Sequence, residues 1–191
     1  RRNLLVGSAF LREDNHVEIT DGVRIEMNSG YQGTNCIHSI DETDGTPHYR
    51  GAFWDGSQGG KSIKITKGKK YVLSCYYKTN DTNGRIFLEA LYTDEQTNAK
   101  RTGNGPTYLT QSNFIVTKLN QWELFTTVID TTNAGEKDNY LAFNFFEYSN
   151  GNFGRINAYI CRPMVEEGDT YNGWTLSKDD YDYVGGNMLD N

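Results

Sequence analysis

Apolar and polar residues alternate in short runs along almost the whole chain, and turn-forming Gly, Asn and Asp separate the runs. "HVEIT" turns at "DG" into "VRIEMN", which predicts a hairpin. "TNCIHSI", "HYRGAFW", "KSIKIT", "KYVLSCYYKT" and "RIFLEALYT" follow, then "TYLTQSNFIVT", "QWELFTTVID", "YLAFNFFEY" and "RINAYICRPMV". These make about ten strands, and no stretch keeps a helical period. Regular short strands with such turns predict an all-β fold, a β-sandwich jelly roll of two antiparallel sheets.

Neighbouring side chains on a strand point to opposite faces, so alternation also divides each strand. In "YLAFNFFEY", Leu141, Phe143 and Phe145 form a core face; Ala142, Asn144, Phe146 and Tyr148 point the other way. In "RIFLEALY", Ile86, Leu88, Ala90 and Tyr92 read as core, opposed by Phe87, Glu89 and Leu91. In "YVLSCYYK", Tyr71, Leu73, Cys75 and Tyr77 share one face, and Val72, Ser74, Tyr76 and Lys78 the other. The second face mixes aromatics with single polar groups, whereas a solvated sheet face would carry more Lys, Glu and Thr.

Composition narrows the classes. A chain of 191 residues suits one large domain. Its net charge of −6 argues against nucleic acid as the main partner, because phosphate binding needs a basic surface. Cys36, Cys75 and Cys161 are too widely spaced for a paired-cysteine metal site and read as small buried hydrophobes. No run is long enough to cross a membrane, and no signal peptide is read. The first residue is Arg1, so the sequence reads as a piece of a longer protein.

The catalytic motifs fail on inspection. "GSQGGKS" has Gly60-Lys61-Ser62, but Gly56 stands one position too close, and the segment joins strands where a phosphate loop must open a helix. His16, His38 and His48 have no metalloprotease spacing, and no nucleophile elbow is present. No carboxylate pair is marked by its surroundings as a glycosidase pair. An enzyme is not expected.

"RPMVEEGDTYNGW", residues 162 to 174, closes the last strand. Pro163 lacks an amide donor and is expected where ladder pairing ends. Gly168 is free to take positive φ in the turn, and Trp174 is expected to fold back as a lid on the open end of the sandwich.

The order and spacing of "NLLVGS", "YVLSCYYKT", "NQWELFTTVID", "YLAFNF" and "INAYICRPMVEEGDTYNGW" resemble the carbohydrate-binding-module-like jelly rolls of tailed-phage baseplate, tail-tip and tail-fibre proteins. The resemblance covers about residues 3 to 176. It implies a module over residues 1–176. Residues 177–191 are then a linker with the possible start of a following module, since Asn187, Met188 and Leu189 echo Asn3, Leu4 and Leu5. Related domains also occur in bacterial glycanases and surface proteins.

A sugar site needs aromatic platforms for the apolar ring faces and polar side chains for the hydroxyls. Tyr76 and Lys78, Glu89, and Asn144, Phe146 and Tyr148 supply such a mixture from three strands. Arg50 and Trp54 project together from "HYRGAFW" and join them. Relatives of the fold often hold structural calcium, for which Asp14, Glu18 and Asp169 are candidate ligands, but no oxygen-rich loop marks a site and no cofactor is required. The expected function is non-catalytic attachment of a phage tail or baseplate to host surface polysaccharide. The domain would stand on the virion, exposed to the medium, beside other tail subunits. The rival expectations are a structural spacer of the tail and an accessory module of a bacterial glycan-degrading enzyme.

Overall fold

The computed structural model describes residues 3–42, 46–102, 108–149 and 155–185. Every alternating run carries a strand: β1 (Glu18–Ile19), β2 (Val23–Glu26), β3 (Cys36–Asp41), β4 (His48–Trp54), β5 (Ile63–Lys64), β6 (Lys70–Thr79), β7 (Arg85–Thr93), β8 (Tyr108–Ile115), β9 (Glu123–Asp130), β10 (Tyr140–Ser149) and β11 (Ile156–Glu167). They form two antiparallel sheets. A six-stranded sheet runs β1-β4-β10-β7-β8, with β5 also paired to β10; a five-stranded sheet runs β2-β3-β11-β6-β9. The expected jelly-roll sandwich is therefore present.

The core lies between the sheets and follows the alternation. Leu141, Phe143 and Phe145 of β10 and Ile86, Leu88 and Ala90 of β7 meet Leu73, Cys75 and Tyr77 of β6, all fully buried. Each large apolar side chain so enclosed contributes about 2 kcal/mol. All three cysteines are buried free thiols, as their apolar settings predict.

Three local expectations are corrected. First, β1 and β2 make no hairpin. β1 pairs with β4 and β2 with β3, in opposite sheets. The Thr20–Val23 turn, closed by the Val23 amide donating to the Thr20 carbonyl at 3.2 Å, carries the chain from one layer to the other. Second, Pro163 does not end β11. The register shifts between Cys161 and Met164, so Pro163 sits in a bulge and pairing resumes through Glu167. Arg162 takes φ 53° there, and its guanidinium lies over the rings of Tyr31 and Trp174. Trp174 is buried with Ala9, Met164 and Leu176; Met164 points away from the core that Val165 enters, so Trp174 covers the outer face of the five-stranded sheet and not the open end of the sandwich.

Third, the domain does not stop at residue 176. A short helix, α1 (Lys178–Tyr183), follows, with the Ser177 hydroxyl accepting from the Asp180 amide at 3.1 Å as its N-cap. Asp180 is buried; it accepts from the Gly7 amide at 2.8 Å and pairs with Arg12 at 3.3 Å. A six-residue helix shows too little periodicity to be read from sequence. Asn187, Met188 and Leu189 lie outside the described residues.

The terminal motifs meet in space. Buried Asn3 donates to the Ser8 hydroxyl and the Pro163 carbonyl and accepts from the Leu5 and Val165 amides. The leading "NLL" is thus tied to the bulge created by Arg162 and Pro163.

Candidate functional site

Strand register assembles one outward face on the six-stranded sheet. Glu18 lies opposite Phe53, Phe53 opposite Asn144, Asn144 opposite Glu89, and Glu89 opposite Gln111. The neighbouring row holds Gly51, Phe146, Phe87 and Asn113. A polar row and an apolar row therefore run side by side across the strands.

Rings from the two rows form a stack. Phe146 lies parallel to Phe53 at 5.4 Å and to Phe87 at 5.1 Å between ring centroids. Tyr148 meets Phe87 and Tyr49, and Tyr49 also meets Phe146 edge-on. Phe146 itself is buried, but Tyr49 on the β4 side is 57% exposed and Tyr108 at the start of β8 is 39% exposed. The floor is closely packed, and two accessible rings stand beside it.

The polar row is a hydrogen-bonded network. The Asn144 amide nitrogen donates to Glu89 at 2.8 Å and to Asp55 at 3.2 Å. Gln111 donates to the other Glu89 oxygen at 2.9 Å. Arg101 approaches the same Asp55 oxygen at 3.6 Å. Two carboxylates fix which end of the Asn144 amide is nitrogen, since an oxygen there would face anions. Burial pushes the Glu89 carboxyl above its ordinary range, opposed by the Asn144 and Gln111 hydrogen bonds and by Arg101. The result is an oriented acceptor at the base of a cleft of ≈ 430 Å³, walled by Glu18, Tyr49, Gln58, Arg101, Tyr108 and Gln111.

Of the residues expected at a sugar site, the structure brings Glu89, Asn144, Phe146 and Tyr148 together on this face. It does not bring the other four. Tyr76 and Lys78 point outward from the five-stranded sheet, on the opposite side of the sandwich. Tyr76 stacks on Tyr31 at 4.0 Å, and the Lys78 ammonium lies over the Tyr159 and Trp122 rings. Arg50 and Trp54 do share a face, but it is the inner one. Trp54 is fully buried, with its indole nitrogen donating to the Val6 carbonyl at 2.8 Å. Arg50 donates to the Ile40 carbonyl and pairs with buried Asp41.

The outward positions of β4 are instead Tyr49, Gly51 and Phe53, one residue out of phase with those expected. Alternation alone groups Tyr49, Gly51 and Phe53 on one face and Arg50, Ala52 and Trp54 on the other, without saying which face is outward. Arg101, Tyr108 and Gln58 come from segments between or at the ends of strands, where alternation gives no signal.

Gly51 is required by this packing. A Cβ there would fall 2.0 Å from the Phe145 carbonyl oxygen and 2.6 Å from the Phe146 Cα, both backbone atoms that cannot yield. Gly51→Ala is expected to force β4 off β10 at a cost of about 2 kcal/mol. A matching fall in the urea midpoint checks this; an unchanged midpoint would show that the strands adapt.

The three candidate calcium ligands are differently engaged. Asp14 takes hydrogen bonds from the His16 amide and ring and faces Arg12. Glu18 lies at the cleft rim, and Asp169 accepts from the Thr170 hydroxyl in the turn after β11. Among the described residues, no group of three or more His, Cys, Asp or Glu side chains is arranged to hold a metal ion.

No protein-family model and no curated protein matches the sequence. Solved structures do match. The carbohydrate-binding module TmCBM61, in complex with β-1,4-galactotriose, aligns with a TM-score of 0.58 at 10% identity, over 88% of this chain and 100% of that one. The CBM22-1–GH10 modules of a Clostridium thermocellum endo-1,4-β-D-xylanase, complexed with xylohexaose, align at 0.54 and 12% identity over 92% of this chain and 30% of that one. A tripod protein from the baseplate of bacteriophage Tuc2009 aligns at 0.49 and 16% identity, over 94% and 59%. The chain thus has the jelly-roll fold of the carbohydrate-binding modules.

Proposed function

We propose that this domain is a non-catalytic glycan-binding module that takes its ligand on the outer face of the six-stranded sheet. The observation that carries the reading is the pairing of rows: exposed Tyr49 and Tyr108 beside an oriented Glu89 acceptor, all in one cleft. Aromatic faces bury the C–H faces of a pyranose, and a carboxylate with free lone pairs receives its hydroxyls. The setting is a phage tail or baseplate protein held to host surface polysaccharide. The resemblance of the terminal motifs to those of phage tail and baseplate proteins supports that setting. A single shallow site binds weakly, and many copies on one particle supply avidity.

Titration with neutral oligosaccharides, followed by calorimetry, tests the site. Tyr49→Ala and Tyr108→Ala are each expected to weaken binding at least roughly tenfold, by loss of ring stacking. Tyr76→Ala, on the opposite sheet, is expected to leave it unchanged. Binding abolished by Tyr76→Ala alone would move the site to the other face. Flanking sequence that encodes a glycan-degrading domain would replace the phage setting by that of an enzyme accessory module.

A further inference from the structure

We infer that the cleft accepts neutral glycan chains and rejects polyanionic ones such as polyuronates. The inference rests on the glycan-binding reading and names the charge class of its ligand.

Four ionisable groups carry the argument. Glu89 forms the base of the cleft, Glu18 its rim on the β1 side, Arg101 a wall, and Asp55 lies directly beneath. Arg101 is the one cation among the described residues that line the cleft, and it is drawn to Asp55. Asp55 is fully buried and cannot turn away, so this charge is already matched. No cation pairs with Glu18 or Glu89 in a salt bridge among the described residues. An incoming carboxylate would meet two carboxyl groups against one arginine already drawn to Asp55, and like-charge repulsion disfavours it.

Donor and acceptor matching points the same way. Each Glu89 oxygen has accepted one hydrogen bond, from Asn144 or from Gln111, and keeps a further lone pair. Sugar hydroxyls donate to such oxygens; an ionised uronate group has nothing to donate. Beyond the cleft, the chain's net charge of −6 steers polyanions away.

The test compares matched pairs: neutral gluco-oligosaccharides and galacto-oligosaccharides against their C6-carboxylate counterparts, at pH 7 in low salt. The neutral member is expected to bind at least tenfold tighter. Raising the salt is expected to narrow the gap, and so is Glu18→Lys at the rim. Equal or tighter binding of the uronate, lost on Arg101→Gln, would overturn the inference while leaving a glycan site in place. Binding of neither member would remove the glycan-binding reading and this inference with it.

Discussion

Asn3→Ala is expected to lower the stability of the folded domain by about 3 kcal/mol, far more than a single polar truncation ordinarily costs. Asn3 is only 2% exposed, and all its hydrogen-bonding groups facing the fold are used. Its amide nitrogen reaches the Ser8 hydroxyl at 2.9 Å and the Pro163 carbonyl at 3.0 Å; its oxygen receives the Leu5 amide at 3.0 Å and the Val165 amide at 3.1 Å. The bulge in β11 takes Pro163 and its neighbours out of the regular ladder, so these backbone groups depend on a side chain for satisfaction. Alanine would strand them in a dry interior, where each orphaned group costs 1 kcal/mol or more. Asn3→Asp is not expected to rescue the loss, since an anion would then face the Pro163 carbonyl. Urea unfolding of both variants measures this. A loss below about 1 kcal/mol would mean that water or a shifted N-terminal segment replaces the clasp. The consequence reaches the core, because the same segment supplies the Val6 carbonyl that receives the Trp54 indole.

The extent to which this architecture is legible in sequence follows from what alternation encodes. A period of two assigns faces within a strand, so Glu89, Asn144, Phe146 and Tyr148 can be recognised as an outward mixture before any strand is paired. It does not say which strands share a sheet. Tyr76 and Asn144 have similar local patterns yet point to opposite sides of the sandwich, because β6 belongs to one sheet and β10 to the other. The β4 phase fails for a different reason. A charged residue reads as surface unless its buried partners are known, and the partners of Arg50 lie on β3, distant in sequence. The β1–β2 turn looks like a hairpin because a "DG" pair bends the chain equally well within a sheet or between sheets.

The interior charges around Arg50 set the second large effect, which is a dependence of stability on pH. Glu147 of β10 is fully buried and faces inward, where the Ser39 hydroxyl donates to it at 3.2 Å. Asp41 lies against it, Arg50 pairs with Asp41 at 3.2 Å, and the Tyr77 hydroxyl is buried in the same region. Burial pushes the Glu147 carboxyl well above the usual carboxylate range. The neighbouring Asp41 carboxyl pushes it further, against the opposing pull of Ser39 and Arg50. The folded chain therefore holds a proton that the unfolded chain releases near the ordinary glutamate value. The stabilisation is fully present below that value and is lost as pH rises through the raised one, at up to about 1.4 kcal/mol per pH unit between the two. Glu147→Gln keeps a neutral donor toward Asp41 and cannot ionise. The variant is expected to gain on the wild type steadily from about pH 5 upward, and to match it most closely under acid conditions. Thermal unfolding of both proteins across pH 4 to 9 reads the difference directly. Parallel curves would mean that Glu147 is ionised in the fold throughout, with Arg50 neutralising both carboxylates at once.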